Sequence, residues 1–399
     1  MVLNRCTTLS EEDFLTDVFN RKPLYTRAED LQSDFSDLFS AEVLEDLLAN
    51  SAIRTSSVRL VRAGVEFDVT RGTVADSGDL AGSAPFVSTE TIRAGLASGH
   101  TLLMRSLHRY HPPLRRFAHA LSAQLGHPVR VNAFITPPNS QGVSLHYDVQ
   151  DVLVLQIAGE KHWELRAQPL SAPLAPQAWF DVPQRKRDEL KAASTLLADL
   201  VLRPGDTLYF PRGTMHSPRT EDSLSIHLTI SIPQVTHHDL LQAMVDDALE
   251  DEWVRGSVSL ARLEAGPELA RVVLLAIAQR LSDVARDVST EELLWRVRAA
   301  RFAELPAEPV PVLPVVEPAQ THRLRTGAKY RVVPDGDSVS LQGVGRRVTL
   351  PAAAAPVLDE LRDTGTLDRE RLAEQLSAPL ADQLVQVLTD FGLITGVRA

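Results

Sequence analysis

The 399-residue chain has a single cysteine, Cys6, so it can close no internal disulfide and has no companion thiolates for a sulfur-ligated metal. A bound metal must be held by histidine and carboxylate. No apolar run approaches the roughly 18 residues of a membrane span, and Met1 opens into polar sequence without an apolar leader. A cytoplasmic protein with no membrane partner is expected. Basic residues are in deficit, with 41 Lys and Arg against 52 Asp and Glu and a formal net charge of −11. Duplex DNA and anionic membranes are bound by neutralising phosphate with Lys and Arg, so nucleic acid is not expected as the main partner, and a basic protein or peptide fits better. Apolar residues at 44% and charged residues at 23% place the chain among globular proteins and away from disorder. At roughly 100 to 200 residues per domain, the length implies two to four domains.

The hydrophobic period changes several times along the chain. Residues 1 to about 55 read as helical, with Ser10-Glu11-Glu12-Asp13 as a cap before Phe14, interrupted where Lys22-Pro23 must be extended. Short β-type runs follow to Phe86, then helices over 89–96 and 112–126. Residues 131–136 alternate, so Asn132, Phe134 and Thr136 share one strand face. After the turn chemistry of Pro137-Pro138-Asn139-Ser140-Gln141-Gly142, a strand is expected to carry His146 and Asp148. Val149 to Ala158 is nearly all apolar, as in a strand buried on both faces, and Gly159-Glu160 turns the chain into a strand from Lys161. An excursion from about 166 to 200 contains a helical piece over 186–198. Ser223 to Ile232 alternates most cleanly, with Ser223, Ser225, His227, Thr229 and Ser231 on one side; that polar row fits the lining of a barrel pocket and a half-exposed strand equally well.

From 238 to 305 the pattern is helical, with stripes such as Leu240, Leu241, Met244, Val245 and Leu249. Residues 306–319 form a proline-studded linker. Beyond it, hairpin strands around Asp335-Gly336-Asp337, a third strand at Arg347 to Leu350 and three helices suggest a winged helix. Its basic residues are balanced by acidic ones, which favours a structural or partner-docking role over DNA binding.

His146 and Asp148 lie two apart, so on a strand they point the same way, about 6 to 7 Å apart along the chain and close enough to share one metal. A second stretch, Gly205-Asp206 through Pro211 and Gly213, delivers His216. Two histidines and one carboxylate are the facial triad that leaves open positions on a non-haem iron.

The stretches TPPNSQGVSLHYD, VLQIAGEKHWEL, YFPRGTMHS and SIHLTIS resemble the JmjC-type ribosomal oxygenases of the cupin-like superfamily, particularly the histidine-hydroxylating branch. The resemblance implies an α+β fold: a double-stranded β-helix (cupin/JmjC barrel) within residues 1–237, a helical dimerisation region over 238–305 and a winged helix over 320–399. It implies a homodimer. It also implies Fe(II) on His146, Asp148 and His216 as the catalytic centre, and 2-oxoglutarate as co-substrate with Lys161 on its distal carboxylate, since a buried dianion needs a cation. Asn132, Ser231 and His227 match positions that bind the co-substrate or line its pocket. The implied activity is hydroxylation of an amino-acid side chain of a protein, first a histidine of a ribosomal protein. Rival expectations are hydroxylation of a small peptide natural product or free amino acid, lysine demethylation, and a non-catalytic dimeric winged-helix scaffold. One departure is Phe134, where the family has a tyrosine, so a phenolic hydrogen bond is missing. His162 is expected to face away from Lys161 and pack.

Overall fold

The computed structural model describes residues 2–31, 34–69, 86–264, 266–303, 305–309 and 319–397. Eleven strands are described in the first of two compact units, Met1–Gln234 and Val235–Ala399. They are β1 (Leu24–Thr26), β2 (Val58–Arg62), β3 (Val65–Phe67), β4 (Thr101–Met104), β5 (Arg130–Thr136), β6 (Asp151–Ala158), β7 (Lys161–Arg166), β8 (Leu196–Leu202), β9 (Thr207–Phe210), β10 (Met215–Arg219) and β11 (Ser225–Ile232). Eight form one antiparallel sheet in the order β1-β9-β6-β11-β5-β4-β2-β3, and three form a second in the order β10-β7-β8.

Strand β11 decides what the alternating polar row does. It lies between β5 and β6, and all eight of its residues are buried. Its register sets Ile226, Leu228 and Ile230 beside Ile135, Ala133 and Val131 of β5, making one continuous apolar face. The other face carries Phe134, His227 and Thr229 into a cavity of ≈ 500 Å³. From Ser225 onward the row is therefore interior and the half-exposed alternative does not hold; Ser223, before the strand, is exposed.

Two local expectations are corrected. His146 and Asp148 do not sit on a regular strand: His146 makes one isolated antiparallel bridge to His216, and β6 begins only at Asp151. The segment meets β10, an edge of the smaller sheet, for a single residue before the chain crosses to β6. The helix expected over 186–198 spans Gln184–Ala193, because Leu196–Leu202 pairs with β7 as β8 and cannot be helical at the same time. The excursion is thus partly a third strand of the smaller sheet.

One carboxylate reinforces the β1–β9 pairing that ties the amino-terminal segment to the barrel. Asp206, buried in the turn before β9, accepts from the Ala28 N–H at 2.8 Å, the Arg203 N–H at 2.8 Å and the Tyr25 hydroxyl at 2.9 Å. Ser10 caps its helix as expected, its hydroxyl accepting from the Asp13 N–H at 3.0 Å.

The second unit opens with helices His237–Asp247, Pro267–Asp287 and Thr290–Phe302. Val272, Leu274 and Leu275 on the middle helix are 61 to 65% exposed, so its apolar residues exceed what this unit buries. The proline-studded linker lies mostly outside the described residues. The carboxy-terminal part has a three-stranded sheet (Tyr330–Asp335, Ser338–Gly343, Arg346–Pro351) and helices Ala355–Thr364, Arg369–Leu376 and Ala378–Asp390 around Leu341, Leu358, Leu361 and Leu388. A second small sheet, Thr366–Asp368 against Thr321–Leu324 against Ile394–Gly396, was not legible in the sequence. Among the described residues, no helix is long and apolar enough to cross a membrane.

Candidate metal centre and its cavity

The cavity lies between the two sheets. Arg59 and Val61 of β2, Thr101 and Leu103 of β4, Phe134 and Thr136 of β5, and His227 and Thr229 of β11 wall it from one side. Lys161 and Trp163 of β7 and His216 of β10 wall it from the other. Side chains two apart on each strand alternate onto this face, which is how elements distant in sequence converge.

His146, Asp148 and His216 each bring one ligand atom within 4.8 Å of the others, the one such group found among the described residues. The imidazole centroids are 4.2 Å apart, and His216 Nε2 lies 3.7 Å from Asp148 Oδ2. Each histidine has its Nδ1 occupied by a backbone carbonyl, His146 by Ser144 O at 2.8 Å and His216 by Thr214 O at 3.1 Å. Those bonds place the proton on Nδ1 and leave Nε2 as the lone-pair donor for a cation. Burial, and next the neighbouring His146, push His216 down to about 4, so it is neutral at pH 7. Trp163 and Phe210 pack against it with centroids 6.1 and 4.7 Å away. Two imidazoles held with Nε2 free, beside a carboxylate, suit a divalent transition metal.

Lys161 is 2% exposed, and burial lowers it to about 7. Its Nζ donates to Thr136 Oγ1 at 2.6 Å, and that oxygen also accepts from Thr101 Oγ1 at 3.1 Å. No carboxylate pairs with Lys161 among the described residues. A buried amine whose only partner is a hydroxyl is a site prepared for an anion.

The remaining expected residues divide. His227 lies in the cavity wall, its ring stacked on Phe134 with centroids 5.0 Å apart and planes 3° from parallel. Its Nδ1 is buried without a hydrogen-bond partner among the described residues, and burial, then Lys161, holds it well below the usual histidine range. Asn132 and Ser231 do not wall the cavity: Asn132 Oδ1 accepts from the Ser106 N–H at 3.0 Å, and Ser231 is buried on β11 opposite Arg130. His162 faces away from the cavity, but it meets Asp199 at 2.6 Å rather than merely packing. Thr136 and Thr101 were missed as partners of Lys161. Alternation put Thr136 on the right face, yet nothing in sequence marked Thr101, which comes from a different strand.

A JmjC domain family model matches residues 105–240, which hold all three converging ligands and Lys161. Over 136 residues it is 40% identical to ribosomal oxygenase 2 of Mus musculus, covering 34% of this chain and 27% of that protein. Over 155 residues it is 36% identical to the bifunctional lysine-specific demethylase and histidyl-hydroxylase NO66 of Drosophila mojavensis, covering 38% and 17%. Over 241 residues it is 30% identical to ribosomal oxygenase 1 of Bos taurus, covering 60% and 34%. The alignments thus span about a third or less of these relatives' lengths. Among solved structures, the X-ray structure of E. coli ycfD superposes with a TM-score of 0.56 at 18% identity, covering 97% of this chain and 98% of that one. The same E. coli ribosomal oxygenase in complex with cobalt and 2-oxoglutarate gives 0.53 at 18% identity, covering 98% and 99%. At that identity the likeness is one of fold, a mixed architecture of helix and sheet.

Proposed function

We propose that the chain is an Fe(II)- and 2-oxoglutarate-dependent oxygenase that hydroxylates an amino-acid side chain of a protein, with a ribosomal protein histidine the first candidate. The observation that carries this reading is the meeting, in one cavity, of three metal-ligand atoms within 4.8 Å and a buried lysine without a carboxylate partner among the described residues. A structural scaffold needs neither. When bound, iron and 2-oxoglutarate would supply the activation of oxygen.

The chain's own residues hold, orient and shield. His146, Asp148 and His216 would hold the metal, with both imidazoles fixed through Nδ1 so that Nε2 stays unprotonated. Lys161, whose protonated form the charge of an arriving carboxylate would favour, with the proton taken from solvent, would anchor the far end of the co-substrate, and Thr136 would hold the ammonium in line. His227, kept neutral by burial and by Lys161, would add no second positive charge there. Trp163, Phe210 and Phe134 would exclude water from the reacting centre and fix its geometry. Phe134 offers a ring face where a tyrosine would offer a hydroxyl, so substrate or co-substrate would be held without that bond. The names of the relatives, ribosomal oxygenase and histidyl-hydroxylase, support a protein substrate.

For the rest of the chain we propose that residues 238–305 make a homodimer, supported by exposed Leu241, Val245, Leu249, Val272, Leu274 and Leu275. Residues 320–399 are read as a winged helix used for docking rather than for nucleic acid, and the protein as cytoplasmic. Anaerobic addition of Fe(II) and 2-oxoglutarate tests the central reading. A metal-to-co-substrate charge-transfer band in the native chain, lost in His146→Ala and weakened in Lys161→Ala, is expected; no band in the native chain overturns it.

A further inference from the structure

The outer part of the cavity is cationic in a chain whose formal net charge is −11. Strand β2 pairs with β4 so that Arg59 lies opposite Leu103, and the Arg105 N–H donates to Ser57 O at 2.8 Å, continuing that register past the end of β4. Arg59, Leu103 and Arg105 therefore share the face that walls the cavity. Among the described residues the acid on this rim is Glu66 of β3, engaged by Arg59 at 3.0 Å. Arg105 makes no ion pair among the described residues. Burial of part of its guanidinium and then the nearby Arg59 work against its charge, and Glu66 offsets them only in part. Among the described residues, two arginines and one glutamate leave the rim with one positive charge in excess, partly out of water and facing the space a substrate must cross.

We propose that Arg105 is a specificity-determining residue that pairs with a carboxylate of the substrate chain close to the side chain to be oxidised. This rests on the oxygenase reading. The pairing would relieve the repulsion from Arg59 and supply the missing partner, in the charge-assisted geometry that a guanidinium offers a carboxylate. An arginine or lysine beside the reacting residue meets the opposite: like charge at a narrow entrance, where water is too sparse to screen it fully. A basic protein can still be drawn to the acidic chain as a whole, while the rim selects, within that protein, a site with an acidic neighbour.

The test uses the full chain with Fe(II), 2-oxoglutarate and a library of peptides from a proteolytic digest of cellular protein. Mass spectrometry identifies each peptide that gains one oxygen. Peptides oxidised by the native chain are expected to be enriched in Asp and Glu next to the modified residue. For a pair of synthetic peptides made from one such sequence, with Glu or Lys at that neighbour, kcat/KM should favour Glu by roughly fivefold, the scale of a rim ion pair set against its repulsive counterpart. Arg105→Glu should invert the order and Arg105→Lys should keep it. Oxidised peptides without acidic neighbours, or a preference that survives Arg105→Glu, overturn the proposal. No oxidised peptide despite a normal anaerobic charge-transfer band overturns it too, since the cavity then does not take peptides. Absence of the band itself defeats the oxygenase reading instead.

Discussion

His146 and His216 are joined twice. Their rings share one site, and their backbones exchange hydrogen bonds, the His146 N–H donating to His216 O at 3.2 Å and the His216 N–H to His146 O at 2.8 Å. This isolated bridge, rather than a continuous strand, sets the spacing of the two imidazoles. It follows that removing a ring leaves the frame in place. His146→Ala is expected to fold with native circular dichroism yet lose Fe(II) or Co(II) affinity by more than about 100-fold, because even partners of a ligand are worth tenfold or more. Metal titration followed by absorbance checks it, and tight binding in the variant would sink the assignment of His146 as a ligand.

Lys161 makes stability and ligand binding depend on pH in opposite ways. Burial lowers it from 10.5 to about 7, so between those values the unfolded chain binds more protons than the folded one. Stability of the ligand-free protein therefore rises with pH through that window, and the cost of the buried charge is fully present below about 7. Lys161→Met should remove the dependence and raise stability at pH 7 by something on the order of a few kcal/mol, read from urea unfolding at several pH values. An anionic co-substrate needs the charged amine, so its affinity should fall as pH rises above about 7, by up to roughly tenfold per unit. Affinity that stays flat from pH 7 to alkaline pH would mean that Lys161 does not hold the anion.

Gly159 holds the turn that delivers Lys161. Its φ is +63°, and a Cβ there would stand 1.8 Å from Leu224 O, a backbone atom with no room to retreat. Gly159→Ala must move the β6–β7 turn as well as adopt a left-handed conformation costing about 1 kcal/mol. The expected result is a Tm lowered by at least about 5 °C and a weakened co-substrate affinity, because Lys161 lies only two residues on. A variant with native Tm and native affinity would show that the turn can shift freely.

Much of this was legible in the sequence because it is periodic or punctuated. Alternation in Ser225–Ile232 and Val131–Thr136 gave the strands and the face of His227 and Thr136, and the Gly-rich turns framed His146, Asp148 and His216. What escaped depends on pairing between distant strands. The Lys161–Thr136–Thr101 chain draws on β7, β5 and β4, and the place of Arg105 beside the Arg59–Glu66 pair depends on β2 meeting β4, although the β-type runs at Val58–Val61 and Val65–Phe67 were themselves legible. The helix expected over 186–198 failed for the same reason: Leu196–Leu202 is a strand only because β7 is beside it, and local preference cannot see a partner. Asn132 and Ser231 carried an expectation from likeness alone; they alternate onto the same face as Phe134 and Thr229, and Asn132 Oδ1 is taken by the Ser106 N–H.

Asp206 offers a test that separates holding the fold from holding the metal. Its carboxylate is 4% exposed and accepts from three donors, the N–H groups of Ala28 and Arg203 and the Tyr25 hydroxyl. Tyr25, raised to about 12 by burial and then by Asp206, stays protonated and keeps donating at any ordinary pH. In Asp206→Asn the side chain keeps its shape, but one oxygen becomes an amide donor facing other donors, and either orientation strands at least one of them. Each such loss costs about 1 to 3 kcal/mol, so Asp206→Asn should lower unfolding stability by roughly that much and Asp206→Ala by more. The amino-terminal segment around Ala28 should loosen first, with faster amide hydrogen exchange there than in β9. At a temperature where the variant remains folded, metal affinity should stay within about twofold of native, because His216 is fixed by Thr214 and His146 rather than by this turn. Lost metal binding at unchanged stability would contradict that division and place Asp206 in the metal site itself.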